Sequence, residues 1–236
     1  LQWRALATLW TDARVRSSVL GYFGHMWELY TMWVLVPLVL ATRLQGTALS
    51  WAAFLVLGAG VIGCAGGGWV AQRWGSARVA GTQLAISGLC CLAAPWAIGA
   101  PGWWFFVWLV LWGITVSGDS PQFSTLTARN APPQAVGSVL TLTNSIGFAI
   151  SIVSILLFVS LAEHVALGQL LPWLAMGPVL GLWALSSHHE WIALQVLPSP
   201  QQVWATLVDL TRSGELLDNL QISAVRVLYG FGIGAS

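Results

Sequence analysis

The stretch VLGYFGHMWELYTMWVLVPLVL, residues 19–40, decides the fold class. About 20 consecutive apolar residues in a helix cross the hydrocarbon core of a bilayer. This run supplies them while holding His25 and Glu28 within it. An ionisable side chain at membrane depth costs about 2.5–3.5 kcal/mol to insert, so such groups face a protein interior or a wet cavity rather than acyl chains. Residues three apart share one side of a helix, which sets His25 and Glu28 one turn apart on the same face. Ser17, Gly21, Gly24, Glu28 and Thr31 recur every three or four positions and draw a small, polar stripe along an otherwise apolar cylinder. That stripe requires cover from something other than lipid.

Composition agrees. Hydrophobic residues make up 57% of the chain and charged residues 7%, with a mean hydropathy of +0.76. Soluble domains carry about 25% charged residues, so a water-facing surface cannot be built from this sequence. It reads as an all-α, polytopic integral membrane protein whose first partner is the lipid bilayer. All 9 basic residues are Arg, and they form no cluster that could track a phosphate backbone, so nucleic acid is excluded as a partner. Cys64, Cys90 and Cys91 fall within apolar runs at neither metal-ligand nor disulfide spacing and read as small apolar fillers. The spacing of His25 and Glu28 matches a fragment of a metal motif. No second histidine stands within a turn, and His164, His188 and His189 fall in polar breaks, so no metal site is expected. With no nucleophile elbow, phosphate-cradling glycine loop or paired-cysteine motif, neither an enzyme nor a cofactor is expected.

Outward from the first run, residues 1–16 carry Arg4, Arg14 and Arg16 beside Trp3 and Trp10, which suits a cytoplasmic, interfacial segment. They lack the pattern of a signal peptide. The opening on Leu1 and the close on GFGIGAS both read as cut ends. Residues 17–187 hold six expected spans, at 19–40, 51–71, 79–98, 103–128, 136–161 and 167–185. In the second, Gly60, Gly63 and Gly67 strip one face of side chains so that a neighbour can pack backbone to backbone. Arg4, Arg14, Arg16, Arg73, Arg78 and Arg129 fall on one side of this arrangement and Arg43 on the other, so the positive-inside rule places both ends in the cytoplasm of a cell inner membrane. Residues 188–236 form a tail of mixed polarity. It holds a turn at Pro198, Ser199 and Pro200, then an amphipathic helix with Val203, Leu207 and Leu210 on one side. The final run, 222–236, is too short at about 1.5 Å per residue to complete a span.

A second polar constellation lies in GDSPQ, residues 118–122. Pro121 has no amide hydrogen, so the carbonyl of Ser117 loses its helical partner and the helix kinks there. Freed backbone at membrane depth is tolerated only where protein or water satisfies it. Asp119 stands beside the break, at a depth of about 15 Å that Glu28 shares. His25, Glu28, Asp119 and Gln122 are therefore candidates for one substrate or proton pathway. Thr141, Thr143, Asn144 and Ser145 on the fifth span add neutral groups, of which Asn144 is the first candidate for solute contact. In this reading Glu28 and Asp119 exchange a proton or balance a charged solute, and His25 relays it. A buried pair that locks two helices together is the other reading of the same residues.

Two family likenesses follow. GWVAQRWGSAR, residues 68–78, resembles the cytoplasmic signature loop of the major facilitator superfamily, Gly-x-x-x-Asp-Arg-x-Gly-Arg-Arg or Lys. Gly68, Arg73, Gly75 and Arg78 match, while Gln72 stands where the signature has Asp. GYFGHMWELY and GDSPQFSTLTARNAPPQAVGSVLTLTNSIGFAISIVSI are similar to its seventh helix and to its tenth and eleventh. The resemblance implies the C-terminal six-helix half of a secondary carrier, for which proton- or ion-linked solute movement is the expected mechanism. Such a carrier rocks against a missing N-terminal half, with His25, Glu28, Asp119 and Asn144 lining a central cavity for a small solute. LPSPQQVWATLVDLTRSGELLDNLQISAVRVLYGFGIG in the tail resembles the start of an ABC importer permease of the nitrate, sulfonate and taurine type, including Gly214, Glu215, Leu216 and Arg226. That likeness implies an alternative, a permease subunit driven by an ATPase partner, on a fused or mis-assembled chain. A membrane scaffold without transport is the third reading.

Overall fold

Asp12 sets the start of the first helix: its carboxylate accepts from the Arg14 amide at 2.8 Å, satisfying a donor that has no intrahelical partner. In the computed structural model the described residues are 10–191 and 197–234, with side chains described as far as 226. The expectation for Trp3 and Arg4 lies outside the described residues. The chain divides into two compact units, Leu1–His189 and Glu190–Ser236.

The first unit is helical. It runs through α1 (Ala13–Ala41), α2 (Gly46–Gly58), α3 (Gly60–Trp74), α4 (Ser76–Ala97), α5 (Gly102–Gly118), α6 (Ser120–Asn130) and α7 (Val136–Ala162). A short α8 (Leu167–Leu170) continues through a 3-10 turn, Leu171–Ala175, into α9 (Met176–His189). Among the described residues, five stretches are long and apolar enough to cross a membrane: Ala13–Ala41, Gly46–Trp74, Ser76–Ala97, Val136–Ala162 and Leu167–His189. The expected span at 103–128 is the exception. It is divided into α5 and α6 at Asp119, because Pro121 cannot donate to the turn before it. With no strand among the described residues, the chain is an all-α polytopic membrane protein.

α1 occupies the centre, packed by α9, α7 and α6 and touched by α2 and α5. Its small, polar stripe is covered residue by residue. A Cβ added at Gly24 would fall on the Gly177 carbonyl of α9, and one added at Gly177 on the Gly24 carbonyl, so these two helices cross backbone on backbone. On the α7 side, Thr31 donates to Ser154 Oγ at 2.7 Å, which donates in turn to the Trp27 carbonyl at 2.7 Å, and Ser151 donates to the Met26 carbonyl at 2.7 Å. The expected glycine face of the second span packs on α5: a Cβ at Gly63 would meet the Ile114 carbonyl.

The ends of the helices are tied in pairs. Arg43, after α1, donates to the Ile98 and Ala100 carbonyls at 2.6 Å each and lies 4.3 Å over the Phe105 ring, closing one end. At the other end Asn130, closing α6, donates to the Arg14 carbonyl at 3.2 Å. Gly75 alone joins α3 to α4 at φ +81°, a backbone conformation that side chains disfavour.

The second unit holds α10 (Pro200–Ser213) and α11 (Glu215–Gly234). The expected turn is a capping box: Ser199 Oγ accepts from the Gln202 amide, while the Gln202 side chain accepts from the Ser199 amide at 3.1 Å. Gly214, at φ +82°, separates the two helices. The run from Ile222 starts no new element, since α11 enters it from Glu215 without a break.

Replacing Gly24 with Ala should lower the stability of the purified chain in detergent micelles by about 1–3 kcal/mol, because the added methyl meets backbone. Ala at Gly66, which has nothing within 4 Å, should be neutral or stabilising by about 1 kcal/mol through helix propensity. Thermal melts of the two variants check this, and equal melts would contradict the α1–α9 crossing.

Candidate functional site: the polar interior around α1

The site begins with a missing hydrogen. Pro121 leaves the Ser117 carbonyl without its helical donor, and Cys64 Sγ, on α3, donates to that carbonyl at 3.3 Å. Between the end of α5 and the start of α6 sits Asp119, with its carboxylate turned to α1. Asp119 Oδ1 lies 2.9 Å from His25 Nδ1, and both side chains are 0% exposed. The Tyr22 and Phe123 rings flank the imidazole at centroid distances of 5.8 Å and 6.4 Å. His25 Nε2 is buried and makes no hydrogen bond to any described residue.

One turn along α1, Glu28 is also 0% exposed, and it is held differently. Its Oε2 accepts from Ser87 Oγ at 2.9 Å. Its Oε1 accepts from Trp112 Nε1 at 2.6 Å and from Cys91 Sγ at 3.2 Å. Ser87 and Cys91 belong to α4 and Trp112 to α5, so three helices meet at one carboxylate. Among the described residues no basic side chain lies within ion-pairing distance of it. Neutral donors alone offset the desolvation of Glu28.

Two adjoining polar cells result. The His25–Asp119 pair brings Nδ1 and Oδ1 to 2.9 Å, the distance of an ion pair, without the alignment of a hydrogen bond. The Glu28 cell is a cage of donors. His25, Glu28 and Asp119 are all buried in the packed interior of this chain, where Phe123 and Trp112 are also fully buried.

Gln122 is buried on α6, and Pro121 itself is exposed. Asn144 does not join the cluster. α7 buries Val139, Thr143, Gly147, Ser151, Ser154 and Phe158, so the helical period turns Asn144, Thr141 and Ser145 outward. The signature-loop residues stand at the α3–α4 junction, with Arg73 and Arg78 exposed and the Arg73 guanidinium 5.3 Å from the Trp69 ring centroid. Gly68 has open space around its Cα.

Sequence reasoning missed the donors. Ser87 and Cys91 stand four apart on one face of α4, and Gly147, Ser151 and Ser154 repeat at helical spacing, so these signals were present. Cys64 and Cys91 are hydrogen-bond donors and not mere fillers. Among the described residues, no three His, Cys, Asp or Glu side chains are grouped closely enough to hold a metal ion.

No known protein-family pattern matches the chain. Over 63 residues it is 40% identical to the putative aliphatic sulfonates transport permease protein SsuC of Escherichia coli (strain K12). This similarity is to a membrane transport protein. The match covers 27% of this chain and 24% of that permease, so the chain spans about a quarter of its relative's length. The relative is named as a permease and not as an enzyme, and it is of the type to which the tail is likened. The likeness of residues 17–187 to a major facilitator half has no counterpart in these comparisons.

Replacing Trp112 with Phe leaves Glu28 Oε1 without its shortest bond and should destabilise the chain by about 1–3 kcal/mol. Asn144→Leu, on an exposed face, should change stability by less than about 0.5 kcal/mol. Unfolding in mixed micelles compares the two, and a Trp112→Phe variant as stable as the parent would remove the cage.

Proposed function

We propose that this chain serves solute transport across a bacterial inner membrane as a permease component of an ABC importer. Its solutes would be of the nitrate, sulfonate and taurine class, and an ATPase subunit would be its partner. The observation that carries this reading is the 40% identity over 63 residues to an aliphatic sulfonates permease. The resemblance of the tail, over residues 197–234, to the same type of permease supports it.

A second reading has its own support in the first unit. A buried His25–Asp119 pair beside a caged Glu28 suits a secondary carrier of the major facilitator type, in which a proton moves between His25 Nδ1 and Asp119 Oδ1 as the solute site changes sides. In either case the arginine distribution, with Arg14, Arg16, Arg73, Arg78 and Arg129 against Arg43, favours both ends in the cytoplasm.

The two readings differ in what drives uptake. In cells lacking their own sulfonate permease, this chain produced with the cognate ATPase subunit should restore uptake of a labelled alkanesulfonate. That uptake should persist with a protonophore and stop when ATP is depleted. Uptake that stops with the protonophore, and in Glu28→Gln and Asp119→Asn, would select the carrier. No uptake of any tested solute would select the scaffold reading and overturn both.

A further inference from the structure

Cys64 sits outside both polar cells, yet its thiol reaches a backbone acceptor, the Ser117 carbonyl, that the break between α5 and α6 leaves without its helical donor. Ser117 is buried, and a buried carbonyl without a partner costs free energy comparable to a lost hydrogen bond. The glycine face of α3 explains how the thiol arrives there. Gly60 lies so close to Ser117, and Gly63 to the Ile114 carbonyl, that the two backbones abut and the next side chain, at position 64, meets the Ser117 carbonyl directly. Two residues past that carbonyl stands Asp119, and on the other side of the joint stands Pro121.

We propose that Cys64 is a positioning residue: its thiol replaces the amide hydrogen that Pro121 lacks and so fixes the break that presents Asp119 to His25. The proposal deepens the carrier reading of this site and rests on it only for the consequence in transport. Its test reads stability, so failure of that reading in uptake leaves the test intact.

The test is a set of variants of the full chain in lipid-detergent micelles. Cys64→Ala should lower the melting midpoint, while Cys64→Ser, which keeps a donor at the same place, should retain it. Pro121→Ala restores an amide hydrogen to the Ser117 carbonyl, and in that background Cys64→Ala should cost less than about half of what it costs alone. The non-additivity between His25→Asn and Asp119→Asn measures how well that pair is held. It should shrink in Cys64→Ala and return in Cys64→Ser. If Cys64→Ala does not fold, recovery of folding by Cys64→Ser and by added Pro121→Ala supports the proposal, and failure of both overturns it. Equal losses for Ala and Ser at position 64, an undiminished cost in the Pro121→Ala background, or a His25–Asp119 coupling that ignores position 64 would each overturn it. In the last three cases the sulfur only fills space.

Discussion

A polar group at membrane depth must find its partner within the protein, and α1 is where this constraint falls hardest. It carries a histidine, a glutamate and a threonine through the middle of the bundle, each of them 0% exposed. The rest of the first unit is arranged to meet them. α4 and α5 bring Ser87, Cys91 and Trp112 to Glu28, the α5–α6 joint brings Asp119 to His25, and α7 brings Ser154 to Thr31. Without a water-driven hydrophobic force between helices, such bonds and close packing are what specify which helix lies beside which.

Close packing and hydrogen bonding are the same device here. Gly24 against Gly177, and Gly63 against the Ile114 carbonyl, let backbones touch. Touching backbones bring short side chains within reach of groups that a normal helix spacing would leave unpaired. Ser151 reaches the Met26 carbonyl and Cys64 reaches the Ser117 carbonyl. A proline that breaks one helix is thereby compensated by a glycine-faced neighbour. The joint so formed carries one of only two acids, Asp119 and Glu28, among the apolar runs.

Much of this was legible in the chain itself. The apolar runs placed the helices, the stripe on α1 announced that it would face something other than lipid, the glycines of α3 announced a close neighbour, and Pro121 announced the break. What could not be read was who answers whom. Trp112 is 84 residues from Glu28, and nothing local ties an indole nitrogen to that carboxylate. The inward face of α7 is set by its contacts with α1. The polar cluster Thr141 to Ser145 therefore gave no sign that Thr143 would turn in and Asn144 out. Cysteine misled because its apolar surroundings concealed its weak donor.

The carrier reading of the first unit depends on the His25–Asp119 contact in a bilayer. Solid-state NMR of the full chain in lipid, labelled with nitrogen-15 at the histidine ring and carbon-13 at the aspartate carboxyl, measures it directly. A strong dipolar coupling between His25 Nδ1 and the Asp119 carboxyl carbon, lost in Asp119→Asn prepared with the same aspartate-only label, is the result this structure predicts. No coupling in the parent chain would mean that the two groups do not meet, and the proposed proton pair would be contradicted.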